Sequence, residues 1–305
     1  MSIRQHNATV KTVSDVSSFW DWMQDLQKTI QHSVCVLAPD HARTPGHAKF
    51  QVGFIGYFGY ELKRESLSGY SWAPEPTDVA EHGPDVQFMF TQEVLEYDHV
   101  TKEWTLNALV CDGEADTIAS VVGVPQIGLT KCQFDERKST LEADMRAPRK
   151  SCTQKAALPT FSSTHDRSSY CSLVEDAQAY IKEGDSYEMT LTTKFRASLG
   201  RKDPFGLYLS LRAKNPAPYS AFIDFPSTKT TILSSSPERF ISIDQHGIAE
   251  MKPIKGTVAV SKDPEEDAQI KHSLATDVKE LAENLMVGVI LSSWVKIRLT
   301  GVPRS

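Results

Sequence analysis

The sequence has no two cysteines in CxxC spacing; its five cysteines, Cys35, Cys111, Cys132, Cys152 and Cys171, stand singly. An odd and dispersed set argues against a zinc ribbon or a disulfide framework and points to reduced thiols. No stretch approaches the roughly 20 apolar residues that cross a bilayer. The opening residues, MSIRQHNATVKTVSD, lack the apolar centre of a signal peptide. A cytoplasmic protein with no membrane partner is therefore expected. Positive charge is not in excess either: 33 Lys and Arg against 39 Asp and Glu leave a net charge of -6, which offers nucleic acid no general attraction. Repeats and low-complexity tracts are missing as well. What remains is ordinary for a globular protein, 40% hydrophobic and 24% charged over 305 residues, enough for one large core or two unequal ones.

Hydrophobic spacing predicts a helix from Val13 to His32, with Val16, Phe19, Trp20, Met23, Leu26 and Ile30 on one face. A strand at Val34–Pro39 and a glycine-bearing strand or turn at Gln51–Leu62 are expected next. Asp85–Tyr97 and Trp104–Val110 alternate as strands do. From about Lys131 to Ser163 the composition turns polar without sustained periodicity, which reads as a linker or surface loop. Beyond it, Asp166–Glu183 has a helical stripe stopped by Gly184. Tyr187–Phe195 reads as a strand, and Asp203–Pro204 opens a helix reaching Lys214. Strands at Tyr219–Phe225, Thr230–Ser234, Phe240–Asp244 and Ile248–Met251 follow. A last helix opens at Asp263–Pro264 and is expected to run through Lys279 and Glu283. Strands in runs, interrupted by helices, give an α+β class.

Three segments carry charge where a sheet would hide none. In SSSPERF, Glu238 follows a proline at a strand end, so its carboxyl can project into a cleft as a general acid. An ordinary Glu238–Arg239 surface turn fits the same residues. In MKPIKGT, Lys255 sits between Pro253, which fixes the chain, and Gly256–Thr257, which allow close approach. A lysine in a confined pocket loses its proton more readily and becomes a nucleophile; a solvent-exposed turn lysine is the plain alternative. In KELAENLM, Glu280 and Glu283 share a helix face and suit Mg²⁺, which takes one or two carboxylates with waters and substrate oxygens. Lys279–Glu283 pairing on a helix exterior explains them equally well.

SPERF, PIKGT and AENLM, in that order, resemble the chorismate-utilising enzymes: anthranilate synthases, aminodeoxychorismate synthases, and isochorismate or salicylate synthases. GDSYEMTLTTKF (184–195), NPAPYSAF (215–222) and GYFGYE (56–61) resemble further motifs of that family, although Thr190 stands where asparagine is common. The resemblance covers residues 50 to 287, most closely from about 165. It implies a partial anthranilate synthase component I-like two-layer β-sandwich with helices outside.

Lys255 distinguishes among members. Anthranilate synthases carry alanine in that motif, whereas PIKGT is similar to para-aminobenzoate synthase component I, the aminodeoxychorismate synthases. That resemblance implies Lys255 as a nucleophile adding to chorismate, with ammonia then displacing it. It further implies Glu238 as the acid, Glu283 as a Mg²⁺ ligand with Glu280 beside it, and Gly256 and Thr257 bordering the substrate ring. No glutaminase signature is present, so ammonia is expected from a glutamine amidotransferase subunit or fused domain. Anthranilate synthase component I, and a non-catalytic fragment that binds an amidotransferase, are the alternative readings.

After Met286 the sequence VGVILSSWVKIRLTGVPRS departs from the family's pattern. The expected division is an incomplete N-terminal region at 1–130, a linker at 131–163, a partial chorismate-binding domain at 164–287 and an aberrant tail at 288–305. An unspliced intron or a frameshift would produce such a tail, and a chain so shortened is expected to be inactive.

Overall fold

The computed structural model describes residues 19–33, 52–65, 84–110, 128–146, 159–200, 203–244, 248–254 and 256–286. The chain divides into two units, Met1–Pro148 with Ala217–Ser305, and Arg149–Pro216. It is α+β: helices alternate with antiparallel ladders, each two-stranded among the described residues.

In the first unit, helix α1 (Phe19–Ser33) buries Leu26. Its Phe19 and Trp20 rings meet Phe58 at centroid distances of 6.1 and 5.7 Å. The expected helical residues before Phe19, and the strand expected at Val34–Pro39, lie outside the described residues. Strand β1 (Gly53–Phe58) pairs with β2 (Val86–Thr91), placing Gly56 opposite Phe88. A Cβ at Gly56 would collide with the Gln87 carbonyl, so this close approach needs glycine.

The stretch expected as one strand from Asp85 to Tyr97 is two, because Gln92 bends the chain. Its side-chain Oε1 accepts the Gly128 N–H at 2.5 Å and its carbonyl accepts the Leu109 N–H at 2.9 Å. Strand β3 (Glu93–Tyr97) then pairs with β4 (Trp104–Ala108).

Lys131–Arg146 is a helix, α2, and not the loop its polarity implied. Thr130 and Gln133 form a reciprocal capping box: Gln133 Oε1 accepts the Thr130 N–H at 2.9 Å, and Thr130 Oγ1 accepts the Gln133 N–H at 3.3 Å. Among its described residues the helix buries only Leu141 fully, and it ties Arg137 to Glu93 at 2.8 Å. One apolar anchor with good helix formers around it leaves little periodicity to read.

Strands β7 (Tyr219–Phe225) and β8 (Thr230–Ser236) form a regular hairpin. Phe225 is buried and stacks edge-on against Tyr57 at 5.9 Å, while Gln87 Nε2 donates to Thr228 Oγ1 at 2.9 Å. These contacts anchor the hairpin to the β1–β2 ladder.

In the second unit, helix α3 (Arg167–Glu183) starts at Asp166, whose carboxylate accepts the Ser169 N–H at 2.7 Å, and stops at Gly184 with φ 86. That backbone hydrogen bond holds the Asp166 carboxyl below the usual range. Helix α4 (Pro204–Lys214) begins with the expected Asp203 cap and buries Tyr208. The strand expected over Tyr187–Phe195 is reduced to Phe195–Arg196 (β6), paired with Ser162–Ser163 (β5). Alternation supplies propensity, but a strand needs a ladder. Among the described residues only the end of this segment finds one.

Candidate active site

Two hairpins and two helices of the first unit arrange the three charged segments. Strand β8 delivers Pro237 and Glu238 into the turn before β9 (Arg239–Ile243), which pairs with β10 (Ala249–Lys252). Glu238 is exposed, and its carboxylate accepts the backbone N–H of Ile254. Ser236 Oγ donates to the Glu238 carbonyl at 3.0 Å and tightens the same turn. The first and second segments are thereby joined at the residue preceding Lys255. Lys255 itself lies outside the described residues.

The β9–β10 ladder has an irregular register between Glu250 and Lys252. Arg239 forms an ion pair with Glu250, and Lys252 Nζ approaches the same carboxylate at 3.3 Å. The hydrogen bond from Arg239, reinforced by Lys252, holds the Glu250 carboxyl below its ordinary range. Charge clamping thus spans the irregular position three residues before Lys255.

The helix expected to run unbroken from Asp263 past Glu283 is two helices. Helix α5 (Pro264–Thr276) ends at Asp277, whose backbone is extended at φ -66 and ψ 124. Residues 278–286 then form α6. Asp277 Oδ1 accepts the Glu280 N–H at 3.0 Å, which makes Asp277 the cap of α6. An aspartate followed three residues later by glutamate was the available signal for this second start.

The break brings the third segment onto the second. A Cβ built on Gly256 would lie 2.5 Å from Glu280 Oε2 and 2.9 Å from Leu274 Cδ1. Beside this contact is a cleft of about 380 Å³, lined by Thr257, Ile270, Ser273, Leu274, Asp277 and Glu280. Gly256, Thr257 and Glu280 are therefore together. Glu283 is one turn further along α6, where Lys279 Nζ approaches its Oε1 at 3.6 Å.

Glu280 Oε2 is buried against Gly256 and has no hydrogen-bond partner among the described residues. No group of three or more His, Cys, Asp or Glu side chains gathers among the described residues. One unpartnered carboxylate oxygen fits Mg²⁺, which keeps several waters and takes substrate oxygens, better than it fits metals that need an all-protein cage. The cleft of the second unit, about 300 Å³ at Thr160, Phe161 and Arg196, contains none of the predicted residues.

The chain matches the family model described as chorismate binding enzyme over residues 3–293. That span contains every motif-bearing segment from Gly56 to Met286. An aminodeoxychorismate synthase from Arabidopsis thaliana is 36% identical over 78% of this chain and 25% of its own length. An aminodeoxychorismate synthase from Streptomyces pristinaespiralis is 36% identical over 78% of this chain and 31% of its own. Anthranilate synthase component 1 of Acetivibrio thermocellus is 30% identical over 81% and 48%. The chain thus spans half or less of the length of these relatives. Anthranilate synthase component I from Streptococcus pneumoniae shares the fold, with a TM-score of 0.58 at 24% identity over 80% of this chain and 50% of that one.

Proposed function

The chain belongs to the chorismate-binding enzymes, and from that premise we propose that its site is of the aminodeoxychorismate synthase type, serving amination of chorismate on the way to para-aminobenzoate and folate. One observation supports this most. The two neighbours of Lys255 are each met by a carboxylate from another motif, Ile254 by Glu238 and Gly256 by Glu280. Amination through a covalent lysine adduct requires a lysine at this position, and its presence favours this reading over an anthranilate synthase.

In this proposal the Lys255 amine bonds to C2 of chorismate, the ring double bonds shift, and the C4–O bond breaks. Glu238 protonates the departing hydroxyl, which leaves as water. Ammonia then bonds to C4, the double bonds shift back, and the C2–N bond breaks to return the lysine. Two displacements replace one difficult step. Bound Mg²⁺ would offset the negative charge of the substrate and polarise its carboxylate. Glu283 would hold it, with Glu280 the second candidate. Gly256 admits the ring at close range and Thr257 presents a hydroxyl beside it. Ammonia would come from a glutamine amidotransferase subunit or fused domain.

Turnover by the 305-residue chain on its own is proposed to be negligible. Supporting this are the chain's share of its relatives' length and the exposure of Phe240 (72%), Ile243 (64%) and Val260 (81%) near the site. The test is product analysis after incubation with chorismate, Mg²⁺ and ammonium. Turnover that Lys255→Ala abolishes overturns the claim of inactivity, and anthranilate as product overturns the assignment to amination at C4.

A further inference from the structure

We propose that Asp277 is a positioning residue that sets both walls over Gly256. Its backbone N–H donates to the Leu274 carbonyl at 3.4 Å, which closes α5. Its Oδ1 accepts the Glu280 N–H at 3.0 Å and its carbonyl accepts the Leu281 N–H at 3.0 Å, which opens α6. Leu274 and Glu280, two of the three residues it bonds, supply the atoms nearest a Cβ at Gly256. Its extended backbone also means that α6 is not a continuation of α5. An uninterrupted helix would carry Glu280 in a different direction.

Capping alone does not explain this placement. Asp263 caps α5 in the same manner, accepting the Glu265 and Glu266 N–H groups at 2.8 and 3.4 Å, yet neither Glu265 nor Glu266 supplies an atom among those nearest a Cβ at Gly256. Asp277 and Asp263 share the capping chemistry, and only Asp277 ties it to the cleft. The role of Glu280 in a chorismate site rests on the preceding reading, whereas the positioning of Glu280 by Asp277 does not.

The test is a double-mutant cycle read as urea midpoints. Gly256→Ala forces a methyl group against Glu280 and Leu274, so its midpoint shift reports how firmly they are held. In an Asp277→Ala background that shift is expected to fall below half its wild-type size. In Asp277→Asn, which keeps the acceptor, and in Asp263→Ala, which loses a cap elsewhere, it is expected to stay the same. If Asp277→Ala does not fold, Asp277→Gly replaces it, since glycine tolerates the cap conformation without the side-chain acceptor. Equal Gly256→Ala shifts in all backgrounds overturn the proposal, as does a loss in Asp263→Ala matching that in Asp277→Ala. Binding of Mn²⁺ as a probe is measured separately on the same proteins. Coupling without metal binding leaves Asp277 a positioning residue and removes the metal from the proposed function.

Discussion

Gly256 and Glu280 are packed so closely that a methyl group at position 256 would lie 2.5 Å from the Glu280 carboxylate oxygen. A methyl group there is accommodated only if the ends of the Glu280 and Leu274 side chains shift. Gly256→Ala is expected to cost about 1 kcal/mol, because the 1–3 kcal/mol typical of overpacking exceeds the roughly 0.4–1 kcal/mol gained by restricting the unfolded chain. Denaturant unfolding checks this, and adding Glu280→Ala should recover much of the loss.

Glu238 spends its carboxylate on the Ile254 N–H. Removing the acceptor with Glu238→Ala should speed exchange of the Ile254 amide by about tenfold or more, the equivalent of one hydrogen bond to a charged group. Glu238→Gln retains an acceptor oxygen and should leave most of that protection. The two variants, followed by amide hydrogen exchange, separate the clamping of the loop from any proton transfer.

Glu250 makes stability depend on pH in a defined direction. Its folded carboxyl is held below the unfolded range by Arg239 first and Lys252 second. The stabilisation is therefore present above the unfolded carboxylate pKa, about 4.3, and is lost as pH falls through the lower folded value. Glu250→Gln should be less stable than the wild type at neutral pH, and the gap should close on acidification below about pH 4.3. Urea midpoints for both proteins across the acid range provide the check.

Thr130 starts a helix that polarity concealed. Thr130→Ala removes the side-chain acceptor of the capping box and should cost about 1 kcal/mol, measured by thermal or denaturant unfolding. A loop at Lys131–Arg146 would show almost no effect.

The chemistry of the caps explains which elements could be read from sequence. Asp166, Asp203, Pro204, Asp263 and Pro264 are local signals, and the helices they open begin where expected, as the first of them ends at Gly184. Thr130–Gln133 and Asp277–Glu280 are equally local. The first was masked by a polar helix with a single fully buried residue among those described, and the second by a run of helix formers on both sides of the break. Strand 187–194 failed for a different reason, since pairing depends on a partner far along the chain. The site shows the same division. Motif order brought Glu238, Gly256, Thr257, Glu280 and Glu283 into consideration. The carboxylate-to-backbone bond at Ile254 and the packing of Glu280 on Gly256 depend on tertiary contacts no local pattern contains. Asp277 resembles an interior helical residue in sequence, because helix-forming residues continue on both sides of it.

A chorismate site around Lys255 is tested most directly by competitive amine labelling of the whole chain, mapped by mass spectrometry, with and without saturating chorismate and Mg²⁺. Protection of Lys255 by severalfold, with exposed Lys252 unchanged and the protection lost in Glu280→Gln, is the expected result. Equal labelling of Lys255 in the presence and absence of chorismate would contradict the site, as would protection of Lys252 to the same extent.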